Sequence, residues 1–178
     1  GFKFLSLSTD SRASALGSAV TAVESGAASM FYNPATMAYQ KNQFSATIGS
    51  VGWIADIDYV YGGISYAPDY GNYGVFGLSF TSVDYGGMIG TIVAPNEMGY
   101  IETGIFKPTA YAIGASYAKA LSDKFSVGGS IKYTSQDLGS SVVDVNDDGS
   151  YVEEDNSLSA VAFDFGILYH TGYKSLNF

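Results

Sequence analysis

Cysteine is absent from the 178 residues, which removes disulfides and thiolate-held metals from consideration. That suits an exported protein without requiring one. Charge is also scarce: Asp, Glu, Lys and Arg make up 14% of the chain, against about a quarter in an ordinary soluble domain. The 8 basic residues are outnumbered by 17 acidic ones, for a net charge of -9. Phosphate binding needs clustered Lys and Arg, so no nucleic-acid partner is expected. No apolar run reaches the roughly 18 residues of a membrane-spanning helix. No basic stretch leads into an apolar core as in a signal peptide, so in an exported protein Gly1 would lie at or after the cleavage site. There is one histidine, His170, in a turn of the kind that is usually solvated. No Ser/His/Asp or Cys/His set can be built around it, and no glycine-rich phosphate loop runs from a strand into a helix. A non-enzymatic protein is expected.

What is abundant is glycine, with 22 residues, and aromatics, with 15 Tyr and 11 Phe. Mean hydropathy is slightly positive at +0.11. Sparse charge with many aromatics and glycines is odd for a water-soluble domain and ordinary for a β-barrel facing lipid.

Two regions divide the chain. Residues 1–41 are rich in small side chains (Ala13, Ala15, Gly17, Ala19, Ala22, Gly26, Ala27, Ala28) and poor in strand character. Such a composition suits a segment folded inside another structure as well as it suits a short surface helix; a plug is the expectation. From residue 42 to 178 the hydrophobic period is two, the period of a strand. Strands are expected at 42–51, 57–67, 73–84, 109–120, 125–135 and 157–169, with a seventh beginning at 174. Each of the six has about the ten residues that a tilted strand needs to cross hydrocarbon. Phe76, Leu78 and Phe80 share one face of the third strand, and Tyr111, Ile113, Ala115 and Tyr117 one face of the fourth. The opposite faces are Gly, Ser, Thr and Ala, too poor in charge for a solvated sheet. The turns at 68–72, 121–124 and 170–173 fall at one end. The long connections expected at 85–108 and 136–156 fall at the other, which is the outer-membrane arrangement of short periplasmic turns and long outer loops. The soluble alternative is an antiparallel sandwich or a lipocalin-like barrel with the apolar face as its core.

The two regions meet near Asn33-Pro34-Ala35. Asn33 before Pro34 is biased out of the helical region, and Pro34 is placed to open a helical turn over 35–38. Locally this is a turn with a helix start. Its position between small-residue segment and strands makes it the expected hinge between plug and barrel. Asp164 lies opposite the apolar face of its strand, as Lys132 does on the neighbouring one, so both are expected in the lumen as a structural pair. Arg12 is a candidate partner for a lumenal carboxylate. Asp144-Val145-Asn146-Asp147-Asp148-Gly149 matches the first half of a calcium loop, D-x-N-x-D-G. Oxygens of Asp144, Asn146 and Asp148 would converge on Ca²⁺, with Asp155 at the twelfth position. The departures are Asp for the usual Glu and the lack of flanking helices. The same loop also reads as a solvated acidic surface.

Phe4-Leu5 through Ser11-Arg12-Ala13-Ser14-Ala15-Leu16-Gly17, then 19–22, then Phe31-Tyr32-Asn33-Pro34-Ala35 resemble in order the N-terminus of the PorV/PorQ family. That family is similar in fold to the long-chain fatty-acid transporter barrels of Gram-negative outer membranes. The resemblance covers about the first 50 residues by motif and the rest by strand pattern. It implies an antiparallel transmembrane β-barrel in the bacterial outer membrane, with an N-terminal plug and contact with membrane lipids. It also implies a part in type IX secretion, holding or shuttling exported proteins at the cell surface, with secretion machinery or cargo as partner. The alternative it implies is a channel for a hydrophobic small molecule gated by the plug. Barrels of this kind have about fourteen strands, and this chain supplies six or seven. A sheet with open edges would leave backbone groups unpaired in lipid. The 178 residues are therefore expected to cover about half of a barrel. Several copies closing one barrel, or a small eight-stranded one, are the other solutions.

Overall fold

A computed structural model describes residues 2–8, 10–94, 96–145 and 151–172. Six strands form one antiparallel sheet: β1 (Phe44–Gly52), β2 (Asp58–Tyr66), β3 (Val75–Asp84), β6 (Thr109–Ser122), β7 (Phe125–Val145) and β8 (Tyr151–Tyr169), in the order β1-β2-β3-β6-β7-β8. Between β3 and β6 lies a separate hairpin of β4 (Met88–Val93) and β5 (Tyr100–Phe106). Among the described residues the large sheet does not close: β1 and β8 are its two edges, so the fold is that of a partial barrel. Among the described residues no helix is long and apolar enough to cross a membrane.

Two expectations are corrected. The long, glycine-punctuated connection expected at 85–108 carries two paired strands, at 88–93 and 100–106. Within the segment 136–156, the described residues 136–145 and 151–156 continue the strands: β7 runs 21 residues and β8 19, paired from Phe125↔Tyr169 to Val145↔Tyr151. The ladder carries this arm without apolar alternation, because backbone pairing needs no particular side chain. Between Asp137 and Ser140 the register shifts, and Gly139 takes a positive φ of 79°. This is a β-bulge, which bends the arm where a glycine admits the left-handed conformation. The seventh strand expected from 174 lies outside the described residues.

The two faces of the sheet differ sharply. On one, alternate residues of β3 and β6 are buried: Val75, Gly77, Ser79, Thr81 and Val83, then Ala110, Ala112, Gly114, Ser116 and Ala118. On the other, Ile48, Ile64, Leu78, Ile113, Ile131 and Phe163 stand exposed. Aromatics bound that exposed face. Phe44 stacks on Tyr66 at 4.7 Å and Phe76 meets Tyr117 at 5.0 Å toward the short-turn end; Tyr111 meets Tyr133 at 6.3 Å toward the other. Tyr111 and Tyr117 are six residues apart on β6, about 20 Å along a strand. A soluble sheet would bury the large apolar face. Here the small-residue face is buried instead, which is the inversion expected where lipid is the solvent.

The cover over the small-residue face is the N-terminal segment. The segment holds a 3₁₀ turn at Lys3–Ser6, the short helix α1 (Ser11–Ala15), and two more 3₁₀ turns at Gly26–Phe31 and Pro34–Tyr39. The turn at 26–31 touches β1, β2 and β3, and the turn at 34–39 touches β6, β7 and β8. Two apolar clusters hold the contact. Met30 and Met37 pack with Ala67, Val75 and Ala118; Phe4 packs with Tyr59, Tyr61, Val83 and Ala110. The strand glycines make room, since a Cβ at Gly63 would come within 2.7 Å of Met30 and one at Gly77 would overlap its sulfur.

Candidate functional site

Asn33, Pro34 and Ala35 occupy the closest approach between the N-terminal segment and the sheet. Asn33 has extended φ and ψ and caps the turn that Pro34 opens, its Oδ1 accepting from the Ala35 N–H at 3.0 Å. The expected helix start is therefore present, in 3₁₀ form over 34–39. The Asn33 amide does more than cap: its Nδ2 donates to the Thr21 carbonyl at 2.8 Å and to the Ile167 carbonyl of β8 at 3.0 Å. On β7 the Ser126 hydroxyl, fully buried, donates to the Ala35 carbonyl at 2.9 Å. Thr36 Oγ1 donates back to the Asn33 carbonyl at 2.9 Å. Asn33 itself is 5% exposed.

The wall beneath the motif is shaped for it. Gly128 and Gly166 are register partners across β7 and β8. A Cβ at Gly128 would lie 2.6 Å from the Ala35 nitrogen and the Pro34 carbonyl carbon, and one at Gly166 would overlap Asn33 Oδ1. A cross-strand glycine pair thus forms a slot into which the Asn-Pro-Ala backbone is set. Sequence reasoning singled out the motif but not Ser126, Gly128 or Gly166. The available signal was that both glycines fall on the small-residue face.

Lys132 and Asp164 come together on that face. Lys132 Nζ lies 2.6 Å from Asp164 Oδ2, and the Ser130 hydroxyl donates to the same oxygen at 3.3 Å. The lysine side chain is 14% exposed and the aspartate 45%, because β8 is an edge. The pair borders a cavity of about 560 Å³ between the N-terminal segment and β8, lined also by Leu5, Phe31, Tyr32 and Asn33. Arg12 is exposed on α1.

His170 departs from the solvated turn residue expected of it. Its ring meets Tyr39 edge-on at 4.6 Å and its Nε2 lies 3.7 Å from Glu24. Tyr39 Oη donates to the Ser122 carbonyl at 3.2 Å. Burial raises the Tyr39 phenol above its ordinary value, with Glu24 and Asp123 adding to the rise against a lowering bond to Ser126. The phenol therefore stays a neutral donor at physiological pH.

Of the calcium candidates, Asn146 and Asp148 lie outside the described residues. Asp144 is on β7 opposite Val152, and Asp155 is on β8 opposite Ser140, four residues back along β7. The strand pairing thus sets Asp155 away from Asp144 instead of wrapping it around a loop. Among the described residues no cluster of three or more His, Cys, Asp or Glu is placed to hold a metal.

Among curated proteins none matches the chain. The family model described as type IX secretion system protein PorV matches residues 1–169. With nearly the whole length covered, the chain belongs to the PorV family.

Proposed function

We propose that this PorV-family chain works in the outer membrane as a carrier or docking component of type IX secretion, engaging exported proteins at the cell surface. In this reading residues 1–41 are the plug and 42–178 the barrel wall. Asn33-Pro34-Ala35 then anchors the plug, because its bonds run to both β7 and β8. The observation that carries the reading is the family match over residues 1–169. The outward apolar face and the grouping of long connections at one end support the placement, since an outer-membrane barrel keeps its longer loops outside. Among the described residues no arrangement of groups on the small-residue face sets a nucleophile beside a base, and the reading assigns no catalysis to it.

Deleting the chain from its own cell should abolish surface delivery of type IX cargo, and restoring it should bring delivery back. Unchanged delivery in the deletion strain would refute the reading. A second reading has the cavity of about 560 Å³ beside the N-terminal segment as its support: passage of a hydrophobic small molecule, gated by that segment. Ligand uptake that persists with a covalently tethered plug would refute gating by that segment.

A further inference from the structure

Charge on this chain is sorted by height. The described residues of 53–58, 84–94, 96–108, 136–145 and 151–156 all lie at the long-connection end. They hold ten of the 17 acidic residues and one of the 8 basic ones, a balance of −9. These stretches are neighbours in space. A Cβ at Gly86 would sit 3.2 Å from the Asp56 carbonyl, and one at Gly139 on the β7 arm 2.9 Å from the Phe106 ring of β5. Counting from Tyr133, the arm extends about 40 Å beyond the aromatic boundary.

Within this acidic field stands an uncovered apolar face. In the β4–β5 hairpin, Ile89 pairs with Ile105 and Val93 with Tyr100. Ile105 is 72% and Val93 94% exposed. Glu102 pairs with Thr91 between them. An isolated two-stranded hairpin is marginal in water, so an apolar face of this kind calls for a cover. Lipid does not suit: the hairpin lies past the aromatic boundary, and an anionic lipid surface would be repelled by the carboxylates around it.

We infer that the β4–β5 hairpin and the acidic arm beside it form a docking surface for a basic segment of another protein, one that presents alternating apolar and Lys or Arg side chains. The apolar side chains cover Ile89, Val93, Tyr100 and Ile105, and the cations meet Glu97, Glu102 and the arm. Complementary charge of this size speeds encounter and rejects acidic competitors. The inference rests on the proposed function and names the chemistry of the partner.

The test uses the full chain folded in lipid vesicles and two synthetic strand peptides identical in their apolar positions, one bearing Lys and the other Glu. The Lys peptide should bind at least about tenfold more tightly, and high salt should erase most of that margin. Glu102→Lys with Glu97→Lys should remove the preference, and Ile105→Ser should weaken the Lys peptide with salt dependence intact. Equal binding of both peptides, or binding indifferent to these substitutions, overturns the inference. So does hairpin association with peptide-free anionic vesicles, which would assign the face to lipid. Protease protection of the N-terminal segment reports that each variant is folded. In cells the two proposals fail separately. Delivery lost on deletion but normal in the Glu→Lys variant sinks only the docking surface; delivery unaffected by deletion sinks the function.

Discussion

The same six strands present two faces that obey opposite rules. The face under the N-terminal segment is built of Gly, Ala, Ser and Thr, and polar groups on it find partners, Ser126 in the Ala35 carbonyl and Thr134 in the Tyr111 carbonyl, while the buried Ser116 hydroxyl has none. The outer face carries Phe163 at 75% and Phe165 at 79% exposure with nothing upon them. In water the second face would collapse onto something. In lipid it is already solvated, and the specific packing moves to the inside, where close approach requires small residues. Size and polarity are therefore allotted by which side faces the N-terminal segment, not by which side is core in the soluble sense.

Arginine on the outer face should do the most damage. Phe163→Arg places a cation at the middle of the apolar band and should cost about 2–4 kcal/mol in urea titrations of the vesicle-folded protein. The control Leu138→Arg, on the arm beyond the band, should stay within about 0.5 kcal/mol. Equal losses at the two positions would erase the distinction between membrane depth and surface.

Within the covered face, Asn33→Ala removes the partner of two carbonyls and one N–H. A loss of about 1–3 kcal/mol is expected, read as faster proteolysis of the N-terminal segment while the strands stay protected. If the strands are lost together with the segment, plug and wall are one cooperative unit instead. Gly166→Ala forces a methyl into Asn33 Oδ1. Overpacking of this sort costs about 1–3 kcal/mol, and the segment should again loosen first. Unchanged protection would show that the slot is roomier than its geometry. The smallest effect is expected where the covered face opens at its edge. Asp164 is 45% exposed, so Asp164→Asn should cost at most about 1 kcal/mol despite a 2.6 Å ion pair. A larger loss would mean that β8 is shielded from water in the working protein.

How much of this was legible in the sequence depended on what holds each element. β1, β2, β3 and β6 follow from period-two alternation, because an apolar outer side and the N-terminal segment on the other select each residue. The inward assignment of Lys132 and Asp164 follows from the same alternation. The upper halves of β7 and β8 and the β4–β5 hairpin were hidden, since neither lipid nor plug selects their side chains and only backbone bonds maintain the ladder. At Asn33 the cap to Ala35 is a local pattern. The bond to Ile167 spans 134 residues, and nothing near Asn33 announces it. The glycine slot is hidden for the same reason, as Gly128 and Gly166 mean little apart and acquire their role only as register partners.

The absence of cysteine makes the central claim directly measurable. Single cysteines placed at Leu78, Ile131 and Phe163 on the outer face, at Ser130 on the covered face and at Leu138 on the arm can each carry a fluorophore in vesicle-folded protein. Brominated acyl chains should quench the first three, and leave 130 and 138 unquenched. Outer-face labels that are reached by a water-soluble quencher and untouched by brominated lipid would contradict the account.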